Sequence, residues 1–255
     1  MPVTIVGNNT PTAGGVVYGD GTNYASTAAG TSGQPVVSGG AGAPVFRPYT
    51  LPASDGSANQ ILQTNGSGAL SFVTVSASGL TLLSTVTASA SATVDITTNI
   101  NSTYDKYIID VINMTPNASG NGAFLNMRTS TDVGANFDAG ASDYNYQISN
   151  LSSGSYAQSQ NDATTAMRVD NNGTTNTASI GGLCFSVSMF TPSNTSTNKV
   201  FTWTGGGAIN ATPTMGVFWG SGSRRSTSAI NAVRFVLSAG LIQSGIFRLY
   251  GVRTS

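Results

Sequence analysis

Leu183-Cys184-Phe185-Ser186-Val187-Ser188-Met189-Phe190 is the stretch that decides the fold. Leu183, Phe185, Val187 and Met189 recur at every second position with small residues between them, so an extended chain presents one apolar face and one polar face. A helix would throw the same four side chains onto opposite sides. Related patterns run through Tyr107–Met114, Ala123–Thr129, Tyr144–Ile148, Thr165–Val169, Val200–Thr204, Met215–Phe218, Ala229–Leu237 and Ile246–Val252. Asn121-Gly122, Asn171-Asn172-Gly173 and Gly205-Gly206-Gly207 read as turns between these strands. Upstream, Leu82, Val86, Ala88, Ala90, Ala92, Val94 and Ile96 alternate with mostly polar residues and predict a half-buried hairpin turning near Ala88–Ser91. About ten strands at this spacing predict an antiparallel, jelly-roll-like β-sandwich over residues 81–255.

Composition points the same way. Only 8% of the 255 residues are charged and the net charge is zero, while 39% are hydrophobic. The common exposed helix formers Lys and Glu are almost absent, and Gly, Ser, Thr and Asn favour strands, turns and caps. An all-β chain follows. Its neutral surface does little to repel a second copy, so self-association is permitted. The N terminus, Met1-Pro2-Val3-Thr4-Ile5-Val6, carries neither a basic segment nor an apolar one, and no run of 18 apolar residues occurs. The expectation is a protein without a signal peptide and without membrane insertion. The one cysteine, Cys184, can form no internal disulfide and reads as a buried, inert thiol.

Residues 1–80 are organised differently. Gly30-Thr31-Ser32-Gly33-Gln34-Pro35-Val36-Val37 continues to Phe46 and aligns without gaps, at an offset of 26, to Gly56-Ser57-Ala58-Asn59-Gln60-Ile61-Leu62-Gln63 continuing to Phe72. Each copy keeps a Gly, a Gln, an apolar pair, a Gly-x-Gly-Ala turn and a closing Phe, which reads as one strand–turn–strand unit. Gly14–Gly21 has the same style, ending in a Gly-Asp-Gly turn, and Pro44, Pro48 and Pro52 hold the intervening chain extended. A lone hairpin buries too little to be stable. Phe46, Ile61, Leu62 and Phe72 are therefore predicted to pack against the same segment of sister chains, giving an extended, Gly/Ser/Thr-rich, oligomer-dependent stalk.

The segment Gly56–Phe72 resembles a linker repeat of bacteriophage tail-fibre and related virion-fibre proteins. Tyr104-Asp105-Lys106-Tyr107-Ile108-Ile109, Arg128–Asp132 running on to Phe137-Asp138-Ala139-Gly140, and Ser244–Gly251 look like the β-sandwich head of such proteins. The resemblance implies a homotrimer, attached to other virion proteins through its N-terminal part, with a C-terminal head available to a host cell-surface glycan or protein. It implies a virion location after assembly in the host cytoplasm. A tail fibre and a capsid head fibre or decoration protein of purely structural role both remain compatible with it.

The residue inventory argues against catalysis. The chain has no His and no Glu, which removes the usual general base and the commonest transition-metal ligand. No catalytic residue, cofactor or metal ligand is therefore assigned. Asp132, Asp138 and Asp143, with Ser130 and Asn136, could form an oxygen-rich Ca²⁺ site, but their spacing matches no EF-hand and they read as turn formers. Arg224-Arg225, the only basic pair, is too small for nucleic-acid binding and reads as a salt-bridged or solvated loop. Tyr144, Tyr146 and Tyr156 cluster in an Asn/Ser/Gln-rich stretch and are the predicted receptor-contact loop, where rings and amides can meet a neutral sugar.

Overall fold

The computed structural model describes residues 11–74, 79–120, 122–170, 173–174, 181–209 and 214–253. The chain divides into two compact units, Met1–Ser76 and Ala77–Ser255.

In the first unit, three two-stranded hairpins follow one another: β1 (Val17–Gly19) with β2 (Tyr24–Ser26), β3 (Val36–Gly39) with β4 (Gly42–Phe46), and β5 (Gln60–Thr64) with β6 (Leu70–Thr74). The two sequence repeats form the second and third hairpins in the same register. Val36 faces Phe46, and Leu62 faces Phe72. The shared residues have shared jobs. A Cβ on Gly30 would sit 2.3 Å from the Phe46 ring and one on Gly56 2.6 Å from the Phe72 ring, so glycine lets each ring lie flat on the backbone. The Gln34 and Gln60 side chains each accept a hydrogen bond from the backbone N–H three residues earlier, at 2.7 Å, which closes the turn into the hairpin. Thr50 and Leu51 tie the copies together, because Leu51 N–H donates to Gly33 O and Thr50 N–H to Gly68 O.

The second unit has twelve strands among its described residues, in two antiparallel sheets. They are β7 (Gly79–Ser91), β8 (Thr93–Ile96), β9 (Lys106–Pro116), β10 (Leu125–Ser130), β11 (Tyr144–Ser152), β12 (Ser155–Thr164), β13 (Met167–Arg168), β14 (Leu183–Phe190), β15 (Lys199–Ile209), β16 (Thr214–Arg224), β17 (Ala232–Leu237) and β18 (Ile242–Arg253). The large sheet runs β12-β11-β16-β15-β14-β9-β18-β7 and the small one β13-β10-β17-β8. With β11, β12, β15 and β16 set aside, four strands remain in each sheet, β7-β18-β9-β14 and β13-β10-β17-β8. The four extra strands are two hairpins that widen the large sheet beyond the small one.

One apolar core lies between the sheets. Tyr107, Ile109, Val111, Phe185, Val187, Met189, Phe201, Phe247 and Leu249 of the large sheet meet Val94, Ile96, Leu125, Met127, Val233 and Phe235 of the small one. Phe235 stands between Phe185 and Phe247, with ring centroids 6.3 and 5.2 Å away. Each such ring or branched side chain removed from water contributes about 1.5–3 kcal/mol, and along β14 and β18 the buried positions alternate with more exposed ones.

Several expectations are corrected. The predicted hairpin at Ala88–Ser91 does not exist as a pair within one sheet: β7 pairs with β18 and β8 with β17, so the chain crosses between sheets at Ala92. Ala90, at φ 49°, marks the bend that precedes the crossing. Gly205-Gly206-Gly207 is not a turn but lies within the second half of β15. A Cβ on Gly205 would lie 2.2 Å from the Phe185 Cβ, so glycine here admits a tightly apposed neighbouring strand. The strand expected at Thr165–Val169 shrinks to β13, and β12 was not anticipated. Asn121, Asn171 and Asn172 of the predicted turns lie outside the described residues.

Candidate functional site

The widened part of the large sheet carries the site. Because side chains alternate across each strand, cross-strand partners share a face. On the outward face of β12, β11, β16 and β15 one row reads Tyr156, Leu151, Val217 and Gly206. The next reads Gln158, Ser149, Trp219 and Thr204, and a third Gln160, Gln147, Ser221 and Thr202. Trp219 is 46% exposed and Tyr156 60% exposed. Their ring centroids lie 6.4 Å apart with the planes tilted 38°. The Tyr156 hydroxyl is 2.9 Å from the Ser149 hydroxyl and 3.4 Å from Gln158 Oε1, which fixes the ring across the sheet.

Hollows lie on both sides of this aromatic pair. Toward one end of the strands, Gly206, Gly207, Gly216, Leu151, Met215 and Val217 line a groove of about 610 Å³ that also includes Cys184. Gly206, Gly207 and Gly216 help to open it, since these positions of β15 and β16 carry no side chain. On the other side Gln147, Ser149, Trp219 and Ser221 line a hollow of about 320 Å³. It shares Gln147 and Ser221 with a third, of about 360 Å³, reaching Asn145, Gln160 and Asp162. Asp162 is the one charged side chain among the described residues lining these three hollows.

The predicted contact tyrosines separate. Tyr144 is fully buried, and its hydroxyl accepts from Thr129 N–H at 2.8 Å and donates to Asp138 O at 3.0 Å, so it is a structural residue and not a surface contact. Burial pushes its phenol above the ordinary value. Tyr146 is half-buried, packs against the core and borders the hollow of about 360 Å³. Tyr156 alone presents its ring to solvent, from a strand and not from a loop. Trp219, Ser149, Gln147 and Ser221 were not singled out by the sequence reading.

Cys184 is also corrected: its side chain is exposed, with Sγ accepting from Asn113 N–H at 3.2 Å. The alternation that turns Leu183 and Phe185 inward sends Cys184 outward. In the first unit Phe46 and Phe72 are half-buried under their glycines, while Ile61 and Leu62 are 51% and 45% exposed.

Asp132, Asp138 and Asp143 are engaged within the chain. Arg224 bridges Asp138 at 2.9 Å and Asp143 at 3.1 Å. Its neighbour Arg225 donates to Asp162 O. Asp132 bonds the Ser130 hydroxyl and both the N–H and side chain of Asn136, and these hydrogen bonds, the Ser130 hydroxyl foremost, hold its carboxyl down at about 2. The three carboxylates thus brace loops, and among the described residues no cluster of three metal-ligating side chains forms. No helix among them is long and apolar enough to cross a membrane. Comparison with protein-family models, curated proteins and solved structures returns no match.

Proposed function

We propose that this chain is a structural, non-catalytic fibre protein of a bacteriophage virion. In this reading it is a homotrimer whose N-terminal unit joins the virion and serves as stalk, and whose C-terminal unit is a head that contacts the host surface. The observation that carries the proposal is the repeated hairpin. Two copies share one register, one Gly–Phe contact and one Gln-closed turn, yet leave Val36, Val45, Ile61 and Leu62 about half exposed. A module that is specified twice but does not cover its own apolar side chains fits a stalk completed by sister chains. The strand orders β7-β18-β9-β14 and β13-β10-β17-β8 support reading the second unit as jelly-roll-like, a compact scaffold that leaves a sheet face free for contact.

Labelling intact particles with an antibody to the head tests the location. The proposal expects label at the tail or baseplate, and blocked adsorption. Label confined to the capsid overturns the host-contact role and leaves a head fibre or decoration protein.

A further inference from the structure

We propose that the outer face of the large sheet around Trp219 is a binding site for a neutral glycan. The inference deepens the host-contact reading and rests on it for its biological setting. It differs in placing recognition on a flat sheet face in place of a loop, with Trp219 as the central residue.

The geometry states the ligand class. Trp219 and Tyr156 offer two exposed rings on adjacent rows, tilted 38° to one another, and the apolar faces of sugar rings stack on such surfaces. Beside them Gln147, Ser149, Gln158 and Ser221 present amide and hydroxyl groups, which both donate and accept, as a polyhydroxylated ligand requires. An anionic ligand would call for Arg or Lys, and among the described residues none lines the hollows. The polar hollows run from Asn145 to Ser149 and the apolar groove continues beyond Leu151, a length of about 20 Å along β11, so the face suits an extended chain of sugars. The rigid strands beneath hold the polar groups in place before binding, which limits the ordering cost.

The test applies the full chain to an array of immobilised neutral and acidic oligosaccharides. Binding to neutral members is expected, with less than about a twofold change between low and high salt because no ion pairs form. Trp219→Ala is expected to weaken that binding at least about tenfold, Trp219→Phe to retain part of it, and both to leave the melting temperature within a few degrees, since the side chain is on the surface. Trp203, the other tryptophan, is buried, so a ligand-induced shift in the exposed tryptophan emission should vanish in Trp219→Phe. Should Trp219→Ala fail to fold, Gln147→Ala with Gln158→Ala replaces it and should weaken binding as well. Absence of binding to every neutral member, equal binding by wild type and variants, or a change in sedimentation on Trp219→Ala, which would make the face a contact between copies, overturns the proposal. Competition against particle adsorption separates this from the parent reading. If wild type and Trp219→Ala compete equally, the host-contact role stands and the glycan site falls; if wild type does not compete, the host-contact role falls.

Discussion

At the scale of single residues, parity along a strand decides most of what matters, and it was readable only where one face was plainly more apolar. Leu183 to Met189 gave such a row, and its inward positions are buried as read. The same parity places Cys184 outside, although the general tendency of free cysteines to be buried suggested otherwise. Trp219 was harder to read, because in Met215-Gly216-Val217-Phe218-Trp219-Gly220 the outward positions are bulkier than the inward ones. Gly220 makes room inside, where a Cβ would lie 2.7 Å from the Trp203 ring. Gly220→Ala is accordingly expected to destabilise the second unit by about 1–3 kcal/mol, read as a lower urea midpoint. Asp170 gives a pH signature. It is completely buried, accepting from Leu125 N–H and Gly173 N–H, and burial pushes its carboxyl up to about 6 against those hydrogen bonds and the nearby Arg168. The folded state thus holds this proton more tightly than the unfolded chain, whose carboxyl titrates near about 4. Its stabilising contribution is full below about pH 4 and is lost as the pH rises through about 6. Wild type is expected to gain stability between pH 7 and 4.5 in urea titrations and Asp170→Asn to flatten that rise; an unchanged profile would contradict the assignment.

At the scale of elements, the repeat was legible because it is written in the residues that make the turn. Gly, Gln and Phe each make a defined contact in both copies, so they stand out from a low-complexity background. Replacing both Phe46 and Phe72 with Ser should speed hydrogen exchange across β3 to β6 while the exchange of β14 and β18 stays as in wild type. Slowed or unchanged exchange in those hairpins would show that the rings do not hold them. By contrast β12 carried no signal, since Ser155-Tyr156-Ala157-Gln158-Ser159-Gln160-Asn161-Asp162-Ala163-Thr164 is exposed on both faces and has no apolar row to detect. Its pairing with β11 is a consequence of the tight Ser152–Ser155 connection and of backbone hydrogen bonds. The Gly205–Gly207 run misled for a related reason. Consecutive glycines signal a turn when only the local chain is considered, whereas here they let β14, β15 and β16 lie close together and open the groove above. Gly206→Val should fill that groove; its valine Cβ would meet Gly216 O at 2.6 Å, so a drop in melting temperature is expected as well.

At the scale of the whole molecule, the all-β class followed from composition and period, because a chain with so few Lys and no Glu has little to build exposed helices from. The division of strands between sheets did not follow. Crossing at Ala92 and the extension of one sheet by two hairpins are set by long-range pairing, which leaves no mark in any single window of sequence. The central claim, that the chain is a fibre subunit completed by its sisters, is tested most directly by the mass of the full chain in sedimentation at micromolar concentration. The account predicts a species three times the 25.9 kDa chain, and a stable 25.9 kDa monomer would contradict it.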